Sequence, residues 1–256
     1  MPKLQNLDRL LHRALRVQEE TCFTVCRDTT MCIVTFNEIM RLVLEYPLVF
    51  TQGRNTDQFV CVALFGVDPS ENLYWRDGRW NAEFMPLNIA RQPFSVDVTG
   101  GSAAGEGAPQ IVTCIDVENP GVQDGAGERL FDDEGKETPY LLYKLGLLAE
   151  LVEGELRSSE FVRRVAELEL IRPIRLELTA PGLEQRKITG LHSIDEQKLR
   201  ALDAATLAEL NANGYLRAMH AMQCSLGHLQ ILARRSTRAR SRPIPDDAMK
   251  KPPPLS

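Results

Sequence analysis

The sequence predicts an α+β fold, with an antiparallel-rich sheet in the N-terminal half and a mainly helical C-terminal part. Short apolar or alternating segments dominate residues 20–135, helical periodicity dominates residues 138–235, and the two patterns do not alternate regularly. We therefore expect a single domain over residues 1–235 rather than two independent domains. The basic, proline-rich residues 236–256 are predicted to form a disordered tail.

The first predicted element is an N-terminal amphipathic helix, because apolar residues between positions 7 and 15 recur at helical spacing. Residues 22–36 alternate cysteine, valine and isoleucine with polar residues, which predicts extended structure. A short helix is then expected from Asn37, a good N-cap, up to Pro47.

Several strands are predicted in the middle of the chain. Residues 48–50 and the short apolar run 59–67 each indicate a strand. Asp77-Gly78 lies between aromatic-rich flanks and predicts a hairpin, because a type I′ turn needs positive φ at its centre. Further strands are expected at 94–98 and 111–117, with loops over 100–107 and 118–129.

The C-terminal part is predicted to be helical except for one pair of strands. Residues 138–168 indicate two helices with a break near 154–159. Residues 173–178 alternate and are expected to pair with 187–191. The pattern is helical again over 193–235, with a break at 211–214.

The formal net charge of −5 combines two unlike parts. Residues 234–256 hold seven basic and two acidic residues, so the other 233 residues hold 23 basic and 33 acidic ones, a net −10. Nucleic-acid binding requires clustered positive charge, so we expect no nucleic-acid partner for this acidic body. The basic tail alone has the charge to contact a polyanion.

The composition favours a cytoplasmic protein with free thiols. No stretch of 18 consecutive apolar residues indicates a transmembrane segment, and the first 20 residues lack the apolar region of a signal peptide. The six cysteines are therefore expected to be thiols. A zinc site typically uses two pairs of closely spaced ligands. Cys22, Cys26 and Cys32 have no second pair with such spacing, which favours a role in the core.

The segment 71–94 holds both tryptophans of the chain together with several other aromatic and arginine residues. Trp, Tyr and Arg provide large contact areas, so an aromatic hairpin of this kind is a candidate recognition surface. The candidate binding residues are Asn72, Tyr74, Trp80 and Arg91. Strand alternation places part of these side chains in the core, and both interpretations stay open.

Two weaker groups are candidates for chemistry. His220, Cys224 and His228 fall at i, i+4 and i+8 of a predicted helix and are the metal candidates, although a polar helix edge is the simpler interpretation. His192 and Asp195, with His220, are the candidate acid/base groups. A helix cap at this position is the favoured alternative. We predict no metal and no cofactor.

A series of short segments over roughly residues 7 to 233 forms a recognisable set. Each is weak alone, and their order and spacing together are specific. In order, the segments are Tyr46-Pro47-Leu48-Val49-Phe50, Ala63-Leu64-Phe65-Gly66, Glu71-Asn72-Leu73-Tyr74, Gly78, Trp80, Pro86, Arg91-Gln92-Pro93-Phe94, Arg129-Leu130-Phe131-Asp132, Gly135, Gly190-Leu191-His192-Ser193-Ile194-Asp195-Glu196, Leu199, Gly214-Tyr215-Leu216 and Ser225-Leu226.

In this order and spacing the segments resemble the bacterial SapC family. The resemblance implies a link to paracrystalline surface-layer (S-layer) systems. Family members tend to be encoded beside flavin-dependent tryptophan halogenases, cupin-like oxygenases and TonB-dependent receptors. The resemblance carries over no catalytic residue. We therefore expect an accessory or binding protein of a surface-associated system that recognises a peptide or protein partner. The alternative is a peptide-modifying or hydrolytic enzyme working beside the halogenase-like proteins.

Overall fold

The structure is a computed structural model that describes residues 2–53, 58–99, 110–174, 176–178 and 186–240. Antiparallel sheets lie mostly in the N-terminal half and helices toward the C-terminus, so the predicted α+β class is confirmed. The predicted loop at 100–107 and most of the predicted tail lie outside the described residues.

The strands are short, and most pair with partners distant in sequence. In chain order they are β1 (Leu4–Asn6), β2 (Leu15–Val17), β3 (Met31–Ile33), β4 (Leu48–Gln52), β5 (Phe59–Leu64), β6 (Trp75–Arg76), β7 (Arg79–Trp80), β8 (Phe94–Thr99), β9 (Gln110–Asp116), β10 (Val122–Asp124), β11 (Glu128–Arg129), β12 (Ile171–Pro173), β13 (Leu176–Leu178), β14 (Arg186–Ile188) and β15 (Leu191–Ile194).

One long helix and several shorter ones accompany the strands. They are α1 (Glu19–Cys22), α2 (Ile39–Leu42), α3 (Leu87–Ala90), α4 (Pro139–Glu167), α5 (Glu196–Arg200), α6 (Ala204–Ala212), α7 (Tyr215–Ser225) and α8 (His228–Arg240). Two 3₁₀ turns, Phe23–Cys26 and Phe36–Glu38, follow α1 and precede α2.

The central sheet has the order β12-β15-β4-β5-β3 and is antiparallel throughout. Its middle strands β4 and β5 are mostly apolar and bury Val49, Phe50 and Ala63 completely. Helix α4 adds Phe161 to the same core, 6.1 Å from Phe50 between ring centroids. Smaller sheets, β1-β9-β8 and β10-β2-β11, lie outside this centre.

The middle of the chain follows the sequence prediction closely. The predicted hairpin is formed by β6 and β7, with φ of 52° at Asp77 and 78° at Gly78 as a type I′ turn requires. Strands β4, β5, β8 and β9 occupy the predicted positions, and β13 pairs with β14. The predicted loop 118–129 contains the short strands β10 and β11, which both pair with β2.

The predicted N-terminal helix is wrong. Strands β1 and β2 stand there, and they pair with β9 and with β10 and β11. In the turn between them, the Asp8 carboxylate accepts the backbone N–H groups of Leu10 and Leu11, whose side chains are exposed. The apolar spacing therefore forms no buried stripe, and tertiary strand partners decide the local structure.

The extended structure predicted for residues 22–36 is also wrong over its first part. Helix α1 and the following 3₁₀ turn bury Cys22, Phe23 and Cys26, a spacing that suits one helical turn. Strand β3 and Thr35 are extended as expected. A run of alternating small apolar residues is compatible with both periods, so the pattern alone did not separate them.

Helix α4 is continuous, so the break predicted within residues 138–168 is absent. Conversely, the predicted C-terminal helical region is divided more often than expected, into α5, α6, α7 and α8. Helix α8 runs to Arg240, five residues beyond the predicted end of the folded part at 235.

Candidate functional site

A groove on the surface lies between the segment 83–90, which includes α3, and one face of α4. We call it the α3–α4 groove; its cavity volume is about 250 Å³. It is lined by Arg41, Glu83, Phe84, Met85, Leu87, Ala90, Tyr143, Leu147 and Glu150. Six of the nine lining residues are apolar or aromatic and three are charged, so apolar and polar groups share the surface of the groove.

The first wall of the groove is held by side chains that reach it from the region of α2. The Glu45 carboxylate accepts the backbone N–H of Glu83 at 3.0 Å and that of Phe84 at 2.7 Å. The Tyr46 hydroxyl donates to the Phe84 carbonyl at 2.6 Å. These bonds fix the backbone of the wall before any ligand arrives.

Glu38 holds the next part of the same wall. Its side chain is completely buried, and one carboxylate oxygen accepts the N–H of Leu87, the first residue of α3, at 2.6 Å. The other oxygen accepts the backbone N–H of Thr35 at 2.8 Å and its hydroxyl at 2.9 Å. Burial raises the pKa of Glu38, although these hydrogen bonds act in the opposite direction.

The second wall is a face of α4 on which Tyr143, Leu147 and Glu150 follow at helical spacing. Beside them, the fully buried Lys144 ammonium donates to the Ala90 carbonyl at 2.6 Å and forms an ion pair with Glu19. Lys144 therefore ties the end of α3 to α4, so the two walls are joined at their base.

Three aromatic rings surround the same ammonium group. Its nitrogen lies 5.5 Å from the ring centroids of Phe23 and Tyr140 and 5.9 Å from that of Tyr143. Cation–π attraction of this kind compensates part of the cost of burying a charge. Tyr143 contributes one ring of this cluster while more than half of its side chain stays exposed in the groove wall.

The groove carries two carboxylates and one guanidinium. Arg41 stands over the Phe84 ring at 5.9 Å from its centroid. Among the residues that the structure describes, neither Arg41 nor Glu83 nor Glu150 takes part in a salt bridge. The two groove carboxylates are thus without a cationic partner in the described part of the chain.

Of the predicted binding residues, Tyr74 and Trp80 lie behind the first wall. Tyr74 is buried and its hydroxyl donates to the Glu45 carbonyl at 2.6 Å; burial raises its pKa to about 12. The Trp80 indole donates to the Tyr46 hydroxyl at 3.1 Å, and its ring stacks on Tyr74. Both residues therefore support Glu45 and Tyr46, which position the wall.

The other two predicted binding residues also have internal partners. Asn72 is buried, donates to the Cys26 carbonyl and accepts the N–H of Tyr74 at 3.0 Å. Arg91 donates to the Asn88 side chain and to the Phe94 carbonyl, and burial lowers its pKa. None of the four lines the α3–α4 groove. Their direct contact with a ligand stays a prediction.

The candidate acid/base residues have separate environments. Asp195 is the N-cap of α5 and accepts two backbone N–H groups, as the capping interpretation expects. His192 packs edge-on against Phe59 at 4.8 Å, and its buried Nδ1 has no hydrogen-bond partner. His220 is exposed and its Nδ1 lies 3.3 Å from the Gln223 side chain. Their role in catalysis stays untested.

The helix on which the metal candidates were placed is not continuous. His220 and Cys224 lie on α7, which ends at Ser225, whereas His228 begins α8 and its Nε2 lies 3.0 Å from the Val43 carbonyl. In the described ranges, no three His, Cys, Asp or Glu side chains are placed to hold one metal ion.

The cysteines are free thiols, as predicted. Cys22, Cys26, Cys32, Cys61 and Cys114 are buried, whereas Cys224 is exposed. Burial raises the pKa of Cys22 to about 12 and that of Cys26 to about 11. At neutral pH these two thiols are protonated and therefore poor nucleophiles.

The groove shares the aromatic segment 71–94 with the sequence prediction but is not lined by the four side chains named there. Phe84, Met85 and Leu87 line the groove and belong to this segment, whereas the candidates were named mainly for the large contact area of Trp, Tyr and Arg. The face of α4 was missed, although the spacing of Tyr143, Leu147 and Glu150 marks one side of a helix. Only the tertiary structure brings this face to the segment.

The family model for SapC matches residues 7–232, which include every residue that lines the groove. The chain belongs to the SapC family. No curated protein and no solved structure matches this SapC-family chain. Within the described residues, none of the helices has the length and apolar character needed to cross a membrane.

Proposed function

We propose that this SapC-family protein is a non-catalytic accessory protein that recognises a peptide segment of a partner in the α3–α4 groove. The observation that carries the proposal is a pre-anchored, partly apolar groove whose first wall belongs to the aromatic segment 71–94. The family link supports a bacterial surface-associated system, S-layer or outer-membrane receptor-linked, as the setting. A cytoplasmic location is part of the same proposal.

The dimensions of the groove favour a peptide over a large cofactor. Pockets for drug-sized ligands typically measure about 300–1,000 Å³ and enclose most of the ligand. The α3–α4 groove is smaller, at about 250 Å³, and suits a few side chains of an extended chain. Because Glu38, Glu45 and Tyr46 already fix its first wall, binding orders little of the protein itself.

The proposal is tested by selecting binders from a displayed library of random short peptides on the purified protein. The selected peptides are then measured against the double variant Tyr143→Ala/Leu147→Ala, which removes the α4 side chains from the groove. Loss of two apolar contacts is expected to weaken binding by about tenfold or more. Isothermal titration calorimetry provides the affinities, and thermal unfolding checks that the variant is folded.

Leu156→Ala is the matched control, because Leu156 is exposed on the same helix but does not line the groove. This variant should bind the selected peptides as tightly as the wild-type protein. Peptides that bind both variants with wild-type affinity would place the recognition surface elsewhere and overturn the proposal.

A further inference from the structure

Charged side chains stand among the apolar ones in the lining of the α3–α4 groove. Glu83 is exposed and Glu150 is half-buried, and both carboxylates line the groove. A third carboxylate, that of Glu45, lies directly behind the wall, where it accepts the backbone N–H groups of residues 83 and 84. Arg41 is the guanidinium in the lining and lies over the Phe84 ring, 5.9 Å from its centroid.

These charges leave an excess of negative charge around the groove. Hydrogen bonds from backbone N–H groups satisfy the Glu45 oxygens but do not neutralise the carboxylate. Glu83 and Glu150 have no salt-bridge partner among the described residues, so their carboxylates are available to a bound cation. A ligand of negative charge would be repelled from this surface.

We infer that the groove binds a peptide in which a basic side chain stands next to an apolar one. The inference rests on the proposed function and adds the chemical class of its ligand. The apolar side chain packs against Phe84, Met85 and Leu147, and the basic side chain reaches Glu83 or Glu150. Glu83 lies beside Phe84 on the first wall and Glu150 lies one helical turn from Leu147 on the second, so neighbouring basic and apolar side chains meet a carboxylate and an apolar contact on either wall.

The test uses fluorescein-labelled peptides that repeat leucine and arginine, with matched peptides in which glutamine or glutamate replaces every arginine. Fluorescence anisotropy at low and high ionic strength measures their binding to the full chain. The arginine peptide is expected to bind most tightly and the glutamate peptide least. High salt should weaken the binding of the arginine peptide only, because salt screens exposed ion pairs.

The protein variants are Glu83→Gln, Glu150→Gln and their combination. Each substitution should weaken the arginine peptide by about two- to fivefold, the range that an exposed ion pair corresponds to. The glutamine peptide should bind these variants as it binds the wild-type protein. The control is Glu155→Gln, which removes the same charge from an exposed position on α4 that does not line the groove.

Each outcome supports or overturns the inference. Weakening by the groove substitutions and not by Glu155→Gln supports it. Equal affinity for the arginine and glutamine peptides, or no binding of the arginine peptide, overturns it. If library peptides lose affinity with Tyr143→Ala/Leu147→Ala but not with the two glutamine substitutions, the inference fails while the proposed function stands. If neither set of substitutions has an effect, both fail.

Discussion

At the scale of single residues, buried charges organise this protein more than its hydrophobic pattern indicates. Glu38 has no exposed surface, yet its two oxygens accept hydrogen bonds from Thr35, three residues away, and from Leu87 in another part of the chain. Lys144 joins Glu19 and the Ala90 carbonyl in the same manner. Sequence alone marks such residues as solvent-exposed, because burial is decided by partners far along the chain.

Glu38 should make the stability of the protein depend on pH in a defined direction. Burial raises its pKa above the ordinary value of 4.5, so between those two values the folded state binds more protons than the unfolded state. The free energy of unfolding should therefore fall as the pH rises above 4.5 through this window, by at most about 1.4 kcal/mol per pH unit.

The measurement compares urea unfolding of the wild-type protein and of Glu38→Gln at a series of pH values. The substitution changes stability at every pH, because glutamine cannot accept all the same hydrogen bonds, but it removes the titration. As the pH rises through this window, the free energy of unfolding of the wild-type protein should fall relative to that of Glu38→Gln. Parallel curves would show that Glu38 does not titrate there.

At the scale of elements, the residues that predicted a break in α4 lie inside the helix and contact the 35–38 turn. Gly154 faces Thr35 so closely that an added Cβ atom would lie 2.7 Å from the Thr35 Cβ and Oγ1 atoms. One turn later, the Ser158 hydroxyl donates to the Gly154 carbonyl and accepts the Phe36 N–H at 2.7 Å. A glycine and a serine that suggest a loop serve here to let the 35–38 turn approach the helix.

Two glycines of α4 should therefore respond in opposite directions to the same substitution. Gly154→Ala places a methyl group against Thr35 and should destabilise the fold by about 1–3 kcal/mol. Gly146→Ala meets no atom within 4 Å and should stabilise it by about 0.5–1 kcal/mol, because alanine restricts the unfolded chain and favours a helix. Thermal unfolding of the two variants measures both; a stabilising Gly154→Ala would contradict the close approach.

Elements defined by local chemistry were predictable, and elements defined by distant partners were not. The Asp77-Gly78 turn and the apolar strands β4 and β5 follow from residue types that favour one local structure. The N-terminal segment is apolar at helical spacing, yet β1 and β2 form because they pair with β9 and β10. The same holds for the α3–α4 groove: its α4 wall could not be predicted, because only the folded chain brings α4 next to the segment 83–90.

At the scale of the whole molecule, α8 closes the structure on the N-terminal half. Ser236 is completely buried, and its hydroxyl donates to the Glu71 carboxylate at 2.7 Å and lies 3.5 Å from an Asp68 carboxylate oxygen. The guanidinium of Arg235 stands 5.4 Å from the centroid of the Tyr74 ring. The start of the basic C-terminal region therefore packs against the acidic body and behind the wall of the α3–α4 groove.

The division between body and tail predicted at 235 consequently falls inside a packed helix. A chain that ends at Arg235 loses the buried hydroxyl of Ser236, whereas a chain that ends at Arg240 keeps it. The shorter chain should unfold at lower urea concentration, with a loss of at least about 1.5 kcal/mol in the free energy of unfolding, the lower end of the value of a hydrogen bond to a charged group. Ser236→Ala in the full chain isolates the hydroxyl and should account for part of that loss. Equal stability of the two shortened chains would mean that α8 does not close the fold through Ser236.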